Sequence, residues 1–168
     1  EVEAANQERQ KITAEIVREV SVLAANSFKD KKLIFASNAN WRAGILGLIA
    51  GKIADEFHKP TAIFQKQENE YVGSFRSIPQ LNIVEELENC SKLLIKFGGH
   101  SQAAGVRVAH KNIENFYQAL SDSIEKKLAG QKLMPEIDID LELKSEDINW
   151  DLMMELKSME PFGEGNTE

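Results

Sequence analysis

The chain has 168 residues, which is enough for one hydrophobic core and parts of neighbouring domains. Hydrophobic residues make up 42% and charged residues 28% of it, a composition that excludes a disordered chain. The net charge of −7 at pH 7 counts against a broad basic surface, so a nucleic-acid function needs local evidence.

The sequence contains no candidate for a membrane span. Its longest apolar stretch, Gly44 to Ala54, is short and is interrupted by Gly47, Gly51 and Lys52. The chain begins with a polar run rather than a charged and then apolar leader, so no signal peptide is expected. We therefore expect a cytoplasmic protein that has no membrane partner.

The first 28 residues predict one long helix, because they lack Gly and Pro and carry Ile12, Ile16 and Val20 at helical spacing. The first half of this helix is polar, which is typical of a connector between two bodies and equally of a frayed terminus. A short strand is predicted at Lys32–Ser37. A second helix, Gly44–Phe57, has glycines on one stripe that would let it pack closely on a sheet.

The middle of the chain alternates between strand and helix patterns. The predicted elements are a hairpin (Thr61–Gln65 and Tyr71–Ser77), a helix from Asn82 to Phe97 that stops at Gly98 and Gly99, a strand (Ala103–Val108) and a helix (Ile113–Leu128). This alternation predicts an α/β fold with a mixed β-sheet and flanking helices.

The composition changes near residues 129–135. Apolar residues then alternate from Ile137 to Leu143, which predicts a half-exposed strand, and Leu152 to Met159 predict a last helix. We therefore divide the chain into a connector helix (1–29), a domain (30–131) and the start of a further region (132–168).

Residues that could hold a catalytic metal are scarce in this sequence. His58, His100 and His110 lie far apart, and no metal-binding motif accompanies any of them, so we expect no metal site in this chain. The pair Asp138 and Asp140 fits either a carboxylate dyad or a solvated strand face. The lone Cys90 is interpreted as a core residue rather than a nucleophile.

The segment Gly98–Gly105 reads Gly-Gly-His-Ser-Gln-Ala-Ala-Gly. Adjacent glycines can direct successive N–H groups into one concavity that binds an anion, and His100 can donate a hydrogen bond to a phosphate. The alternative is an ordinary helix C-cap followed by a core histidine.

Two further segments could contact phosphate. Strand alternation puts Ser74 and Arg76 on one face, where the arginine fork suits phosphate, although an edge-strand arginine paired with a glutamate is an equal alternative. Arg42 lies in a loop that feeds a helix N-terminus, a place that favours an anion. Its neighbour Trp41 is interpreted as a packing residue, with base stacking as the alternative.

Together these segments resemble the DHH-associated domain of the DHH phosphoesterases. That domain has a glycine-rich helix, a Ser-x-Arg-Ser strand and a Gly-Gly-His loop, which correspond here to Gly44–Gly51, Ser74–Ser77 and Gly98–Gly105. Residues 78–82 and 86–90 resemble the RecJ branch of the family in particular. The family often has a histidine after the tryptophan, where this chain has Arg42.

The flanking segments extend the resemblance to the RecJ branch. Residues 161–166 resemble the segment with which RecJ enters its OB-type domain, and the first helix resembles the connector that follows its catalytic DHH domain. The resemblance implies 5′ to 3′ hydrolysis of single-stranded DNA in repair and recombination, with Mn²⁺ or Mg²⁺ held by a DHH domain that this chain lacks. The chain alone would then be inactive, and its partners would be single-stranded DNA and the protein's own DHH and OB-type domains.

The resemblance also implies the residues that bind phosphate, with Arg76 and His100 assisting catalysis. Together with the residues argued above from the sequence alone, the full set of expected phosphate-binding residues is Ser74, Arg76, Ser77, Gly98, Gly99, His100 and Arg42. Two other functions stay open at this point. One is a DHH-family oligoribonuclease or cyclic-dinucleotide phosphodiesterase, and the other is a non-catalytic protein-binding module.

Overall fold

The computed structural model describes residues 2–134, 139, 141–163 and 166. The chain divides into two compact units, Glu1–Met134 and Pro135–Glu168. The first unit contains α1 (Val2–Ser27), β1 (Ile34–Asn38), α2 (Leu46–Phe57), β2 (Thr61–Lys66), β3 (Glu70–Arg76), α3 (Ile83–Asn89), β4 (Leu94–His100), β5 (Ala103–Ala109) and α4 (Ile113–Lys127). Short 3₁₀ turns precede α2, β4 and α4.

The strands form one five-stranded sheet in the order β1-β2-β3-β5-β4. β1 is parallel to β2, and every other neighbouring pair is antiparallel. The predicted α/β fold with a mixed sheet is therefore confirmed, and so is the predicted hairpin, which is formed by β2 and β3.

The two faces of the sheet are covered differently. One face carries the larger core, in which side chains of α3 and α4 pack on Phe64, Phe75 and Val106. The opposite face is covered by α1 and α2, with α2 packed on β2 and β3, and Ile34, Ala36 and Ile63 are buried there. On that second face β3, β5 and β4 carry half-buried and exposed residues, which leaves an open surface beside α2.

The predicted long helix from Asn82 to Phe97 is wrong. Asn82 does cap a helix, since its side chain accepts a hydrogen bond from the Val84 N–H, but α3 ends at Asn89 and β4 follows. A β-bulge between Leu94 and Lys96 shifts the register, so Leu94 and Phe97 both point to the core. Their spacing of three residues imitates the apolar period of a helix.

Two smaller predictions of packing are confirmed. Trp41 is only 3% exposed, in the core beneath α2, so it is a packing residue. Cys90 is also buried, and this burial raises the pKa of its thiol above the ordinary value, with the Glu86 carboxylate adding to the effect. A raised pKa disfavours the thiolate, as expected for an inert core cysteine.

The second unit contains α5 (Trp150–Ser158), which confirms the last predicted helix. The Asn149 side chain caps it by accepting a hydrogen bond from the Leu152 N–H at 2.9 Å. The predicted strand from Ile137 to Leu143 falls partly outside the described residues, and its described members, 139 and 141–143, are not in a strand. Asp138 and Asp140 lie outside the described residues as well.

Within the part of the chain that the structure describes, no helix has the length and apolar character needed to cross a membrane.

Candidate nucleic-acid interface

The strand register brings three of the predicted site residues to one face of the sheet. Arg76 of β3 lies opposite Ala103 of β5, and Ala103 lies opposite His100 of β4. Directly opposite residues in antiparallel strands point to the same face, so Arg76 and His100 share the open surface. Their Cα atoms are two strand spacings apart, about 10 Å. Ser74 lies on the same face, two residues before Arg76.

Arg76 lies in a central strand, between β2 and β5, and not at an edge of the sheet. Its Nη1 donates a hydrogen bond to the Phe75 carbonyl oxygen at 2.9 Å. Among the described residues it has no carboxylate partner. The alternative of an edge-strand arginine paired with a glutamate is therefore wrong for the part of the chain described. The guanidinium is half-buried and keeps further donors for an external acceptor.

Gly47 of α2 makes room for these side chains, which the sequence reasoning missed as a site feature. A Cβ atom at Gly47 would lie 3.3 Å from both Arg76 Nη2 and Ser74 Oγ. Any larger residue would therefore push against the two polar groups. The spacing of Gly47 and Gly51 was the available signal, because it marks a helix stripe that faces the sheet.

The β4–β5 turn is tied to the rest of the domain by two backbone hydrogen bonds. The Ser77 N–H donates to the Gln102 carbonyl oxygen and the Ile83 N–H donates to the Ser101 carbonyl oxygen, both at 2.8 Å. The Ser77 hydroxyl donates to the Leu81 carbonyl oxygen at 2.7 Å. This hydroxyl proton therefore holds the loop after β3, and Ser77 has no free hydroxyl proton to offer a phosphate.

Gly98 and Gly99 lie inside β4, so they form neither the predicted nest of successive N–H groups nor the alternative helix cap. The N–H groups of a strand point alternately to opposite edges. The two glycines also differ in what they tolerate. A Cβ at Gly99 would lie 2.2 Å from the Ala103 carbonyl oxygen, whereas a Cβ at Gly98 would meet nothing within 4 Å. Gly99 is therefore required by packing against β5. Gly98 has room for a side chain, and its lack of one leaves the backbone exposed on the open surface.

The remaining site candidate, Arg42, precedes the 3₁₀ turn that leads into α2. Its Nη2 lies 4.0 Å from Glu8 Oε1 on α1, and both side chains are largely exposed. No hydrogen bond or ion pair joins Arg42 to Ser74, Arg76 or His100 within the described ranges. The ion pair with α1 is the contact that the described residues show for the Arg42 side chain, and its role as a phosphate ligand stays a prediction.

The other histidines have structural surroundings. His110 Nε2 lies 2.7 Å from the Gln67 carbonyl oxygen, and its ring packs on Tyr71 with ring centroids 4.8 Å apart. His58 ends α2 in a left-handed conformation. No group of three or more His, Cys, Asp or Glu residues in the described part of the chain lies close enough to hold a metal ion. The described residues therefore do not fit a resident metal ion.

The sequence that forms this sheet matches a known family. The family model described as the DHHA1 domain matches residues 30–126, which include all five strands of the sheet. The chain belongs to the DHHA1 domain family. The predicted resemblance to the DHH-associated domain is thereby confirmed.

Proteins similar to this DHHA1 chain carry the name single-stranded-DNA-specific exonuclease RecJ. The Bacillus subtilis protein is 29% identical over 165 residues, which cover 97% of this chain and 21% of that protein. The Haemophilus influenzae protein is 31% identical over 134 residues, which cover 77% of this chain and 23% of that protein. The chain thus spans between a fifth and a quarter of the length of these relatives.

The fold of this DHHA1 domain also occurs in a solved RecJ structure. The crystal structure of RecJ in complex with Mn²⁺ from Thermus thermophilus superposes with a TM-score of 0.80 at 23% identity. It covers 97% of this chain, and the chain covers 24% of that protein. At this identity the similarity establishes the fold, including the mixed sheet and its flanking helices.

Proposed function

We propose that this chain is the DNA-binding part of a longer 5′ to 3′ single-stranded-DNA exonuclease that acts in DNA repair and recombination. The main support for the proposal is that Ser74, Arg76 and His100 lie on the same open face of the sheet. The relatives named as single-stranded-DNA exonucleases support the choice of substrate. The proposal includes a cytoplasmic location.

In this proposal the open face binds the phosphate backbone. Arg76 offers a planar, always-charged fork, which matches the oxygens of a phosphate. His100 and Ser74 add a ring N–H and a hydroxyl on the same face of the sheet. Contacts to phosphate fix the position of a strand without reading its sequence, as a general exonuclease requires.

The hydrolytic step belongs to another part of the longer protein. We assign Mn²⁺ or Mg²⁺ to a DHH domain that precedes residues 1–29, with α1 as the connector, and an OB-type region to the sequence that begins at 132. Arg76 and His100 would hold the phosphate in position for attack and offset the negative charge that grows on its oxygens. The chain alone is therefore proposed to be inactive.

The competing function of a protein-binding module rested on Gly98 and Gly99 serving only as a helix cap. Both glycines lie in β4 and not at the end of a helix, so this observation no longer supports a protein-binding module. Gly98 needs another explanation, and an open surface for a ligand supplies one.

The experiment that tests this function is salt-dependent binding. Fluorescence anisotropy of the chain with a labelled oligothymidylate should show weak binding that weakens further with salt. The logarithm of the affinity should fall with the logarithm of the salt concentration by about 0.7 for each phosphate contact. Few cations contribute and the net charge is −7, so the slope should be shallow. An affinity that does not change with salt would refute phosphate binding.

A further inference from the structure

The open face continues beyond Arg76 and His100. Gly98 of β4 lies opposite Gly105 of β5, and two residues further along the strands Lys96 lies opposite Arg107. Both pairs point to the same face as His100, because side chains on a strand return to one face every second residue. A row that contains two cations, Lys96 and Arg107, thus lies about 13 Å from the row of Arg76 and His100.

No side chain separates the two charged rows on β4 and β5. Gly98 and Gly105 are exposed, and a Cβ atom at either position would meet nothing within 4 Å. By contrast, a Cβ at Gly73 would lie 2.3 Å from the Phe64 ring, so that glycine is explained by packing. The strand backbone between the charged rows is therefore directly accessible from solvent.

The Arg107 side chain is held in place by hydrogen bonds to the Glu70 carboxylate. Its Nε donates to Glu70 Oε2 at 3.0 Å and its Nη2 donates to Oε1. The hydrogen bond from Arg107 lowers the pKa of the Glu70 carboxyl, which therefore stays ionised at neutral pH. Arg107 retains donors that Glu70 does not use, and its side chain is 50% exposed.

Lys96 gives this row its uncompensated charge. The row carries two cations against the single carboxylate of Glu70, and Lys96 makes no ion pair among the residues that the structure describes. An ordinary surface ion pair would explain Arg107 and Glu70 alone. It would not explain why Lys96 lies beside them on an otherwise uncharged stretch that leads directly to Arg76 and His100.

We propose that Lys96 and Arg107 form a second phosphate subsite for the same DNA strand. This inference rests on the proposed function. One phosphate contacts Ser74, Arg76 and His100, the intervening sugar and base lie over Gly98 and Gly105, and a phosphate further along the strand contacts Lys96 and Arg107. The subsite makes binding depend on the length of the strand, because a very short oligonucleotide reaches only one row.

The test compares 5′-phosphorylated oligothymidylates of two lengths, a dimer and an octamer, by isothermal titration with the chain. Lys96→Ala and Arg107→Gln should each weaken octamer binding by about tenfold and lower its salt slope by about 0.7. Dimer binding should not change. Gly105→Val should weaken octamer binding and leave the melting temperature unaltered, since valine suits a strand and has space there.

Lys126→Ala is the matched control, because Lys126 is exposed on α4, which packs on the other face of the sheet. Arg76→Ala separates the two proposals by weakening both lengths. If Arg76→Ala weakens binding and Lys96→Ala and Arg107→Gln behave like Lys126→Ala, the second subsite is refuted and the proposed function stands. If Arg76→Ala also has no effect, both are refuted.

Discussion

In the proposed longer exonuclease, replacing Arg76 by alanine should lower the turnover of single-stranded DNA by about 100-fold, as removal of one preorganised donor to a developing anion commonly does. The fold should survive, because the guanidinium has no carboxylate partner among the described residues and lies on the open face. Steady-state kinetics with Mn²⁺ or Mg²⁺ would measure the effect. Circular dichroism would check the folding.

Two related variants refine this expectation. Arg76→Lys should keep part of the activity, because an ammonium supplies charge without the planar fork. His100→Ala should lower turnover less than Arg76→Ala, since it removes a single donor that lies two strands away from Arg76. Lys126→Ala should match the parent protein. If the Arg76→Ala variant turns over DNA as fast as the parent protein, Arg76 does not belong to the site.

The second large expected effect is a loss of stability, which should follow substitution of Gly99 but not of its neighbour Gly98. Gly99→Ala should lower the free energy of unfolding by about 3 kcal/mol or more, because its Cβ would lie 2.2 Å from the Ala103 carbonyl oxygen and 2.5 Å from Ala104 Cα. Those neighbours are backbone atoms of the paired strand and cannot move aside without breaking the register.

Gly98→Ala is the matched control for this measurement. Its Cβ would meet nothing within 4 Å, so urea unfolding should give a free energy equal to or slightly above that of the parent. Equal stability of the two variants would show that the β4–β5 pairing is wrong at Gly99.

The sequence was sufficient to predict the sheet class and the shared face of Ser74 and Arg76. Alternation within β3 places these two side chains on one face whatever the neighbouring strands are. Trp41 was interpreted correctly, because tryptophan is on average a highly buried residue.

The strand that carries His100 could not be predicted, because a β-bulge gives its apolar residues the spacing of a helix. Leu94 and Phe97 both face the core across one extra residue, and period-based reasoning takes such a pair for a helix. The same error concealed Lys96 and Arg107, whose pairing exists only when Leu94–His100 is a strand. The two residues pair across the β4–β5 hairpin, and the bulge between Leu94 and Lys96 removes the simple alternation that would have revealed β4.

The most direct test of the central claim is an amide and side-chain NMR titration of the chain with an octameric oligothymidylate at low salt. We expect the largest shift changes at Arg76, Gly98, His100 and Gly105, with the amides of α4 unmoved. Changes concentrated on α4 with none on the open face of β3, β5 and β4 would contradict the claim that this face binds DNA.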